Sequence, residues 1–178
     1  NLTSTTDTLG NVTTYTYDAK HNLLTSTSDE GVVTTNTYDT NGSVTETELG
    51  SSTAYIRSQA SYDAASALVT AVTDARNNSV SYGYNSATRQ QTSVTDANGN
   101  QSSYSYGNAA NMLRLASLTS DGTGTVSYGY DAYGKLNAIT RGGTVYSFTY
   151  DLWNRIVDTR VGSTALSTSA YDQYGRLS

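Results

Sequence analysis

Large and small residues alternate along most of this chain. The pattern is plain in Thr13-Thr14-Tyr15-Thr16-Tyr17, Ser81-Tyr82-Gly83-Tyr84, Ser103-Tyr104-Ser105-Tyr106, Ser127-Tyr128-Gly129-Tyr130 and Ser147-Phe148-Thr149-Tyr150. Residues i and i+2 of a strand share a face. The aromatic pair therefore projects to one side, and Thr16, Gly83, Ser105 and Gly129 to the other. Each stretch runs into a turn such as Asp39-Thr40-Asn41-Gly42, Asp131-Ala132-Tyr133-Gly134, Asp151-Leu152-Trp153-Asn154 or Asp172-Gln173-Tyr174-Gly175. Asp opens a turn by bonding nearby backbone N–H groups, and Gly or Asn closes it at positive φ. A second alternating stretch follows, then a second turn, as at Asp7-Thr8-Leu9-Gly10, Asp74-Ala75-Arg76-Asn77 and Asp96-Ala97-Asn98-Gly99. No segment carries an apolar period of 3.6. The pattern predicts an all-β chain made of hairpins, with strands of about seven to eight residues.

The hairpins repeat. Aligned on the second tyrosine of each pair, the copies fall at Tyr17, Tyr38, Tyr62, Tyr84, Tyr106, Tyr130, Tyr150 and Tyr171. A period of about 22 residues places eight repeats over residues 1–178, with no second domain, and about sixteen strands in one continuous antiparallel sheet. Asp follows the repeat tyrosine directly at Asp18, Asp39, Asp63, Asp131, Asp151 and Asp172. All twelve Asp residues read as lying at or near turns, which makes them builders of backbone and not of a catalytic site.

Composition narrows the function. Hydrophobic residues are 36% of the 178, and 16 of them are Tyr; charged residues are only 14%. The aromatic content is too high for a disordered chain. No Cys means no disulfide, thiol nucleophile or cysteine zinc site. No run is long and apolar enough for a transmembrane helix or a signal-peptide core. The net charge of −5, with two Lys and eight Arg scattered along the chain, excludes a nucleic-acid-binding stripe. Partners are therefore expected to be neither nucleic acid nor membrane interior. The chain starts without Met and begins and ends mid-repeat, as a segment of a longer array does.

Tyr171-Asp172-Gln173-Tyr174-Gly175-Arg176-Leu177 and Tyr128-Gly129-Tyr130-Asp131-Ala132-Tyr133-Gly134-Lys135-Leu136 resemble the YD repeat of the Rhs (rearrangement hotspot) family. The resemblance covers essentially the whole chain. It implies a long β-sheet that coils as part of a hollow shell. Such shells commonly enclose a C-terminal toxin, and in the animal teneurins the repeats act in adhesion. The chain departs from the family pattern in having no Pro, in Ala60, Asn85 and Gly107 at places of the repeat motif, and in lacking the Asp-Pro-x-Gly-Leu self-cleavage signature.

Candidate chemistry is sparse. The tyrosine ladder reads as cross-strand packing in place of a Leu core, with glycan stacking as the sharper alternative. The turn carboxylates read as turn chemistry, not a Ca²⁺ rim, because each turn holds one. His21 is the only His and sits in a turn, with no nucleophile elbow for it to serve. Glu46 and Glu48 share a strand face with no third group in that strand. Trp153 stands at a turn position that is usually polar, where it either caps the sheet edge or marks a contact surface.

The sequence thus predicts a non-enzymatic structural segment with no catalytic residue, metal or cofactor. Its expected role is a wall around a toxin cargo, in a secreted or cell-surface protein; the alternative is a fibre or adhesin. Its expected partners are further repeats of the same protein or copies of itself joined through edge strands, and an encapsulated C-terminal toxin.

Overall fold

A computed structural model of the chain describes residues 1–51, 54–109 and 112–178. Among the described residues every regular element is a strand, the strands are antiparallel, and they are ordered as in the sequence, so the all-β hairpin class holds. There are sixteen: β1 (Ser4–Thr6), β2 (Val12–Tyr17), β3 (Leu23–Thr27), β4 (Val33–Tyr38), β5 (Val44–Ser51), β6 (Ala54–Tyr62), β7 (Val69–Thr73), β8 (Ser79–Tyr84), β9 (Gln91–Thr95), β10 (Gln101–Ala109), β11 (Met112–Ser120), β12 (Gly124–Tyr130), β13 (Leu136–Arg141), β14 (Thr144–Tyr150), β15 (Ile156–Val161) and β16 (Thr164–Thr168). Two compact units are present. The first holds Asn1–Gln90 and Val94–Gly99; the second holds Gln91–Ser93 and Asn100–Ser178. No helix among the described residues is long and apolar enough to cross a membrane.

Strand lengths run from three to nine residues, a wider spread than the repeat predicts. The cause is two long hairpins. In the first unit β5 and β6 pair from Glu46–Gln59 out to Ser51–Ala54. In the second, β10 and β11 pair from Ser102–Ser120 to Ala109–Met112, so that here the pairing runs on past the repeat tyrosine Tyr106.

The two faces differ as the alternation predicts. In β2, Thr13, Tyr15 and Tyr17 are half-buried while Val12, Thr14 and Thr16 are exposed. The small-residue face is held by hydroxyl pairs across strands: Thr16 to Thr25 at 2.6 Å in the first unit, Ser105 to Ser117 at 2.7 Å in the second. At Gly129 an added methyl would lie 3.1 Å from the Ala138 side chain, so the strands approach closely on this face.

No hydrophobic side chain among the described residues is buried. The accessible surface is 11818 Å² for a mass of 18.9 kDa, against about 8,300 Å² for a compact monomer of that mass. Hydrogen-bonded ladders and packing between neighbouring strands hold this fold, not an enclosed core.

Candidate functional site

The chemistry-bearing residues of each repeat gather where the tyrosine strand ends and the aspartate turn begins. Six of these strand ends carry a register shift immediately before the repeat tyrosine: at Tyr17, Tyr38, Tyr62, Tyr106, Tyr130 and Tyr150. One extra residue on the following strand forms a β-bulge, which interrupts the ladder locally. Leu23, Val44, Leu115, Leu136 and Ile156 lie opposite a repeat tyrosine, just before that extra residue.

The carbonyl at each of those positions receives the hydroxyl of the next repeat's tyrosine. In the first unit Tyr38 donates to Leu23 at 2.8 Å and Tyr62 to Val44 at 2.9 Å. In the second, Tyr106 donates to Gln91 at 2.8 Å, Tyr130 to Leu115 at 2.9 Å, Tyr150 to Leu136 at 2.6 Å and Tyr171 to Ile156 at 3.3 Å. The hydroxyls received at Leu23, Val44, Leu115, Leu136 and Ile156 thus satisfy a backbone acceptor where the ladder is broken. Sequence reasoning missed this use of the tyrosine. The signal was there: the second aromatic place is Tyr in all eight copies, while the first admits Phe148 and Ala60. Packing alone would accept Phe at both. Tyr17 and Tyr84 end β2 and β8 at the equivalent place.

The aspartates organise the turns. Oδ1 of Asp131 accepts the N–H groups of Tyr133 and Lys135 at 2.8 and 2.9 Å. Asp18 does the same for Lys20 and Asn22, Asp39 for Asn41 and Ser43, Asp151 for Trp153 and Arg155, and Asp172 for Tyr174 and Arg176. Asp63 heads a longer turn and holds the N–H and hydroxyl of Ser66. The fourth turn position needs positive φ, which Gly134 supplies at 77° and His21 at 69°. His21 is therefore a turn residue, and its Nδ1 lies 3.0 Å from the Asn1 amide nitrogen.

One expectation needs correction. Asp158 is not at a turn. It lies within β15 opposite Thr149 and Thr168, where Arg160 two places on shares its face and pairs with it at 2.5 Å. Glu46 and Glu48 find their company on the neighbouring strand, not on their own. Across the long hairpin, Glu46 accepts the Gln59 amide at 2.6 Å and lies 3.6 Å from Arg57, the residue opposite Glu48. Among the described residues no cluster of three or more His, Asp or Glu is placed to hold a metal ion.

The fifth turn position links neighbouring repeats of the second unit. Arg155 pairs with Asp151 at 2.6 Å and stacks on the Tyr171 ring of the next repeat at 3.9 Å from its centroid. Lys135 lies 5.5 Å from the Tyr150 ring. Such cation–π contacts are worth about 0.5–2 kcal/mol each.

Asp7, Asp18, Asp39, Asp63, Asp74, Asp151 and Asp172 are all held below the ordinary carboxylate value of 3.8. The leading cause is the Asn22 amide for Asp18 and the Arg176 N–H for Asp172. At Asp151 desolvation pushes upward and the Arg155 hydrogen bonds outweigh it. A lowered pKa contributes stability above the unfolded value, and that stability is lost as pH falls through the folded values. The melting temperature is therefore expected to hold from about pH 7 to about pH 5 and to drop on acidification below about pH 4. Thermal unfolding followed by circular dichroism across that range checks this. A melting temperature that stays level down to about pH 2 would mean that the turns do not depend on ionised carboxylates.

A family model described as RHS Repeat matches residues 1–33 and 62–101. No curated protein matches the chain in sequence. Among solved structures, TcdB2-TccC3 without its hypervariable C-terminal region matches at a TM-score of 0.61 and 16% identity, over 94% of this chain and 10% of that one. TcdB2-TccC3-Cdc42 matches at 0.50 and 14%, over 98% and 12%. The chain spans about a tenth of the length of these proteins, and at such identities the likeness is one of fold.

Proposed function

This chain carries the YD/RHS repeat, and on that premise we propose that it is a non-enzymatic wall segment of a larger Rhs-type protein, secreted or displayed at a cell surface, whose shell encloses a toxin cargo. The observation that carries the reading is a sixteen-stranded meander in which no hydrophobic side chain among the described residues is buried. Such repeats are stabilised by their neighbours along the array and not by an enclosed core. The TcdB2-TccC3 structures lend support through their fold.

The eight repeat tyrosines and the six aspartates that follow them serve this role as structural residues. Tyr38, Tyr62, Tyr106, Tyr130, Tyr150 and Tyr171 tie their strands to the preceding repeat, and the aspartates organise the turns. The small, hydroxyl-rich face suits a lining that touches cargo without gripping it. Further repeats of the same protein, or copies of the chain, are the partners expected at an edge: β1 has a single hydrogen-bonded neighbour, β2, and unpaired strand edges recruit strands.

Limited proteolysis of the intact protein tests the proposal. Its C-terminal segment is expected to resist protease in the parent and to become cleavable when residues 1–178 are deleted. Equal cleavage in both would overturn enclosure, and an elongated particle without an internal volume in electron micrographs would favour the fibre.

A further inference from the structure

We propose that the turn rim of the second unit is a binding site for a proline-rich segment in the polyproline II conformation. The proposal stands whatever the wall encloses. It starts from the third position of the aspartate turns. Turn geometry uses only the N–H of that residue, so its side chain is unconstrained: Leu9, Lys20, Asn41 and Arg76 occupy the place in the first unit. In three successive turns of the second unit it is aromatic. Tyr133, Trp153 and Tyr174 stand 78%, 75% and 74% exposed. Nothing in the fold asks for these rings, and three exposed aromatics in series mark a contact surface.

The rings are held in place. Lys135 lies 6.0 Å from the Tyr133 ring, Arg155 5.1 Å from Trp153 and Arg176 5.3 Å from Tyr174. Two grooves adjoin them. One, of about 530 Å³, lies between Tyr133 and Leu152 and includes Phe148 and Tyr150 in its walls; the other, of about 400 Å³, lies between Trp153 and Tyr174.

Successive turns on this rim are two strands apart, which is about 9.5 Å. A polyproline II helix repeats every three residues, a rise of about 9.3 Å. Side chains i and i+3 of such a helix therefore reach successive grooves. Proline-rich segments dock in aromatic-lined grooves because their conformation is preformed and little entropy is lost. Their carbonyls make no internal hydrogen bonds, and the two phenols and the indole N–H are donors.

Charge removes the main competitor. Arg155 and Arg176 are bound to Asp151 and Asp172 of their own turns at 2.6 and 2.7 Å. The rim therefore offers no cationic track for a polyanion. The chain has no Pro, so no segment of it supplies the ligand.

Fluorescence anisotropy on the intact protein tests the site, with a labelled polyproline peptide of about ten residues, a Gly-Ser peptide of equal length and a labelled β-linked oligosaccharide. The polyproline peptide is expected to bind saturably and the other two not. Trp153→Ala is expected to weaken binding about tenfold or more. Asn41→Ala, at the equivalent place of the turn that follows Tyr38 in the first unit, is expected to leave it unchanged. Thermal unfolding of the Trp153→Ala protein should match the parent. If it does not, Tyr174→Ser supplies the same comparison. Absence of saturable polyproline binding, binding indifferent to both rim substitutions, or binding of the oligosaccharide in place of the peptide would each overturn the proposal.

Discussion

Replacing Tyr150 with alanine is expected to lower stability by about 3 kcal/mol, and replacing it with phenylalanine by about 1 kcal/mol. The alanine variant loses the half-buried ring, whose cover by neighbouring strands is worth about 1–2 kcal/mol. It also loses the 5.5 Å contact with Lys135 and the 2.6 Å hydrogen bond to the Leu136 carbonyl. Phenylalanine keeps the ring and its cation and loses only the hydroxyl. That carbonyl then stands at a bulge without its donor, in a sheet thin enough for water to reach it, which keeps the cost near that of an ordinary hydrogen bond. Urea unfolding of the three proteins measures both differences. A phenylalanine variant as stable as the parent would show that the ring alone matters. A phenylalanine variant as damaged as the alanine one would show that the hydroxyl carries everything.

Gly50→Ala is expected to cost about 3 kcal/mol and to act locally. Gly50 lies in β5 opposite Tyr55 at a φ of +147°. A methyl group there would run into the Ala54 carbonyl oxygen and come within 2.7 Å of the Tyr55 Cα. Both are backbone atoms of the partner strand and have no rotamer in which to move aside. The long hairpin must part beyond the Glu48–Arg57 pair, where its own side chains offer no packed layer to hold it. Amide hydrogen exchange reads this directly. Leu49 and Ile56, which face each other in the register, are expected to exchange much faster in the variant, with β12 to β15 unchanged. Parent-like exchange at both would mean that the hairpin accommodates the methyl.

The hairpin period was legible because Tyr and Asp mark strand end and turn start in nearly every copy, and each residue type has one physical reason to be there. What the sequence hid was cross-strand. The Glu46 partners Arg57 and Gln59 sit on the far arm of a hairpin longer than the period allows. Asp158 resembled its turn-forming neighbours in type, and only its pairing in β15 sets it apart. The bulge before the repeat tyrosine has no residue signature, since the extra residue is Leu24, Thr45, Ala116 or Asn137 in different copies. The hydroxyl bond that answers it was visible only as an unexplained preference for Tyr over Phe.

The direction of the tyrosine bonds has a consequence for synthesis. Within each unit the hydroxyl reaches backward, from a later residue to a carbonyl fourteen to eighteen places earlier, as from Tyr150 to Leu136 or Tyr62 to Val44. Everything a new hairpin needs has already left the ribosome when its tyrosine emerges. The chain therefore has the means to lengthen as a wall one course at a time, each course latched to the last before the next arrives. Contacts this close in sequence close small loops and form fast. A stretch still being made presents one unfinished edge, not a long unfolded chain waiting for its C-terminus, and that lessens the exposure that makes large β-proteins aggregate during synthesis.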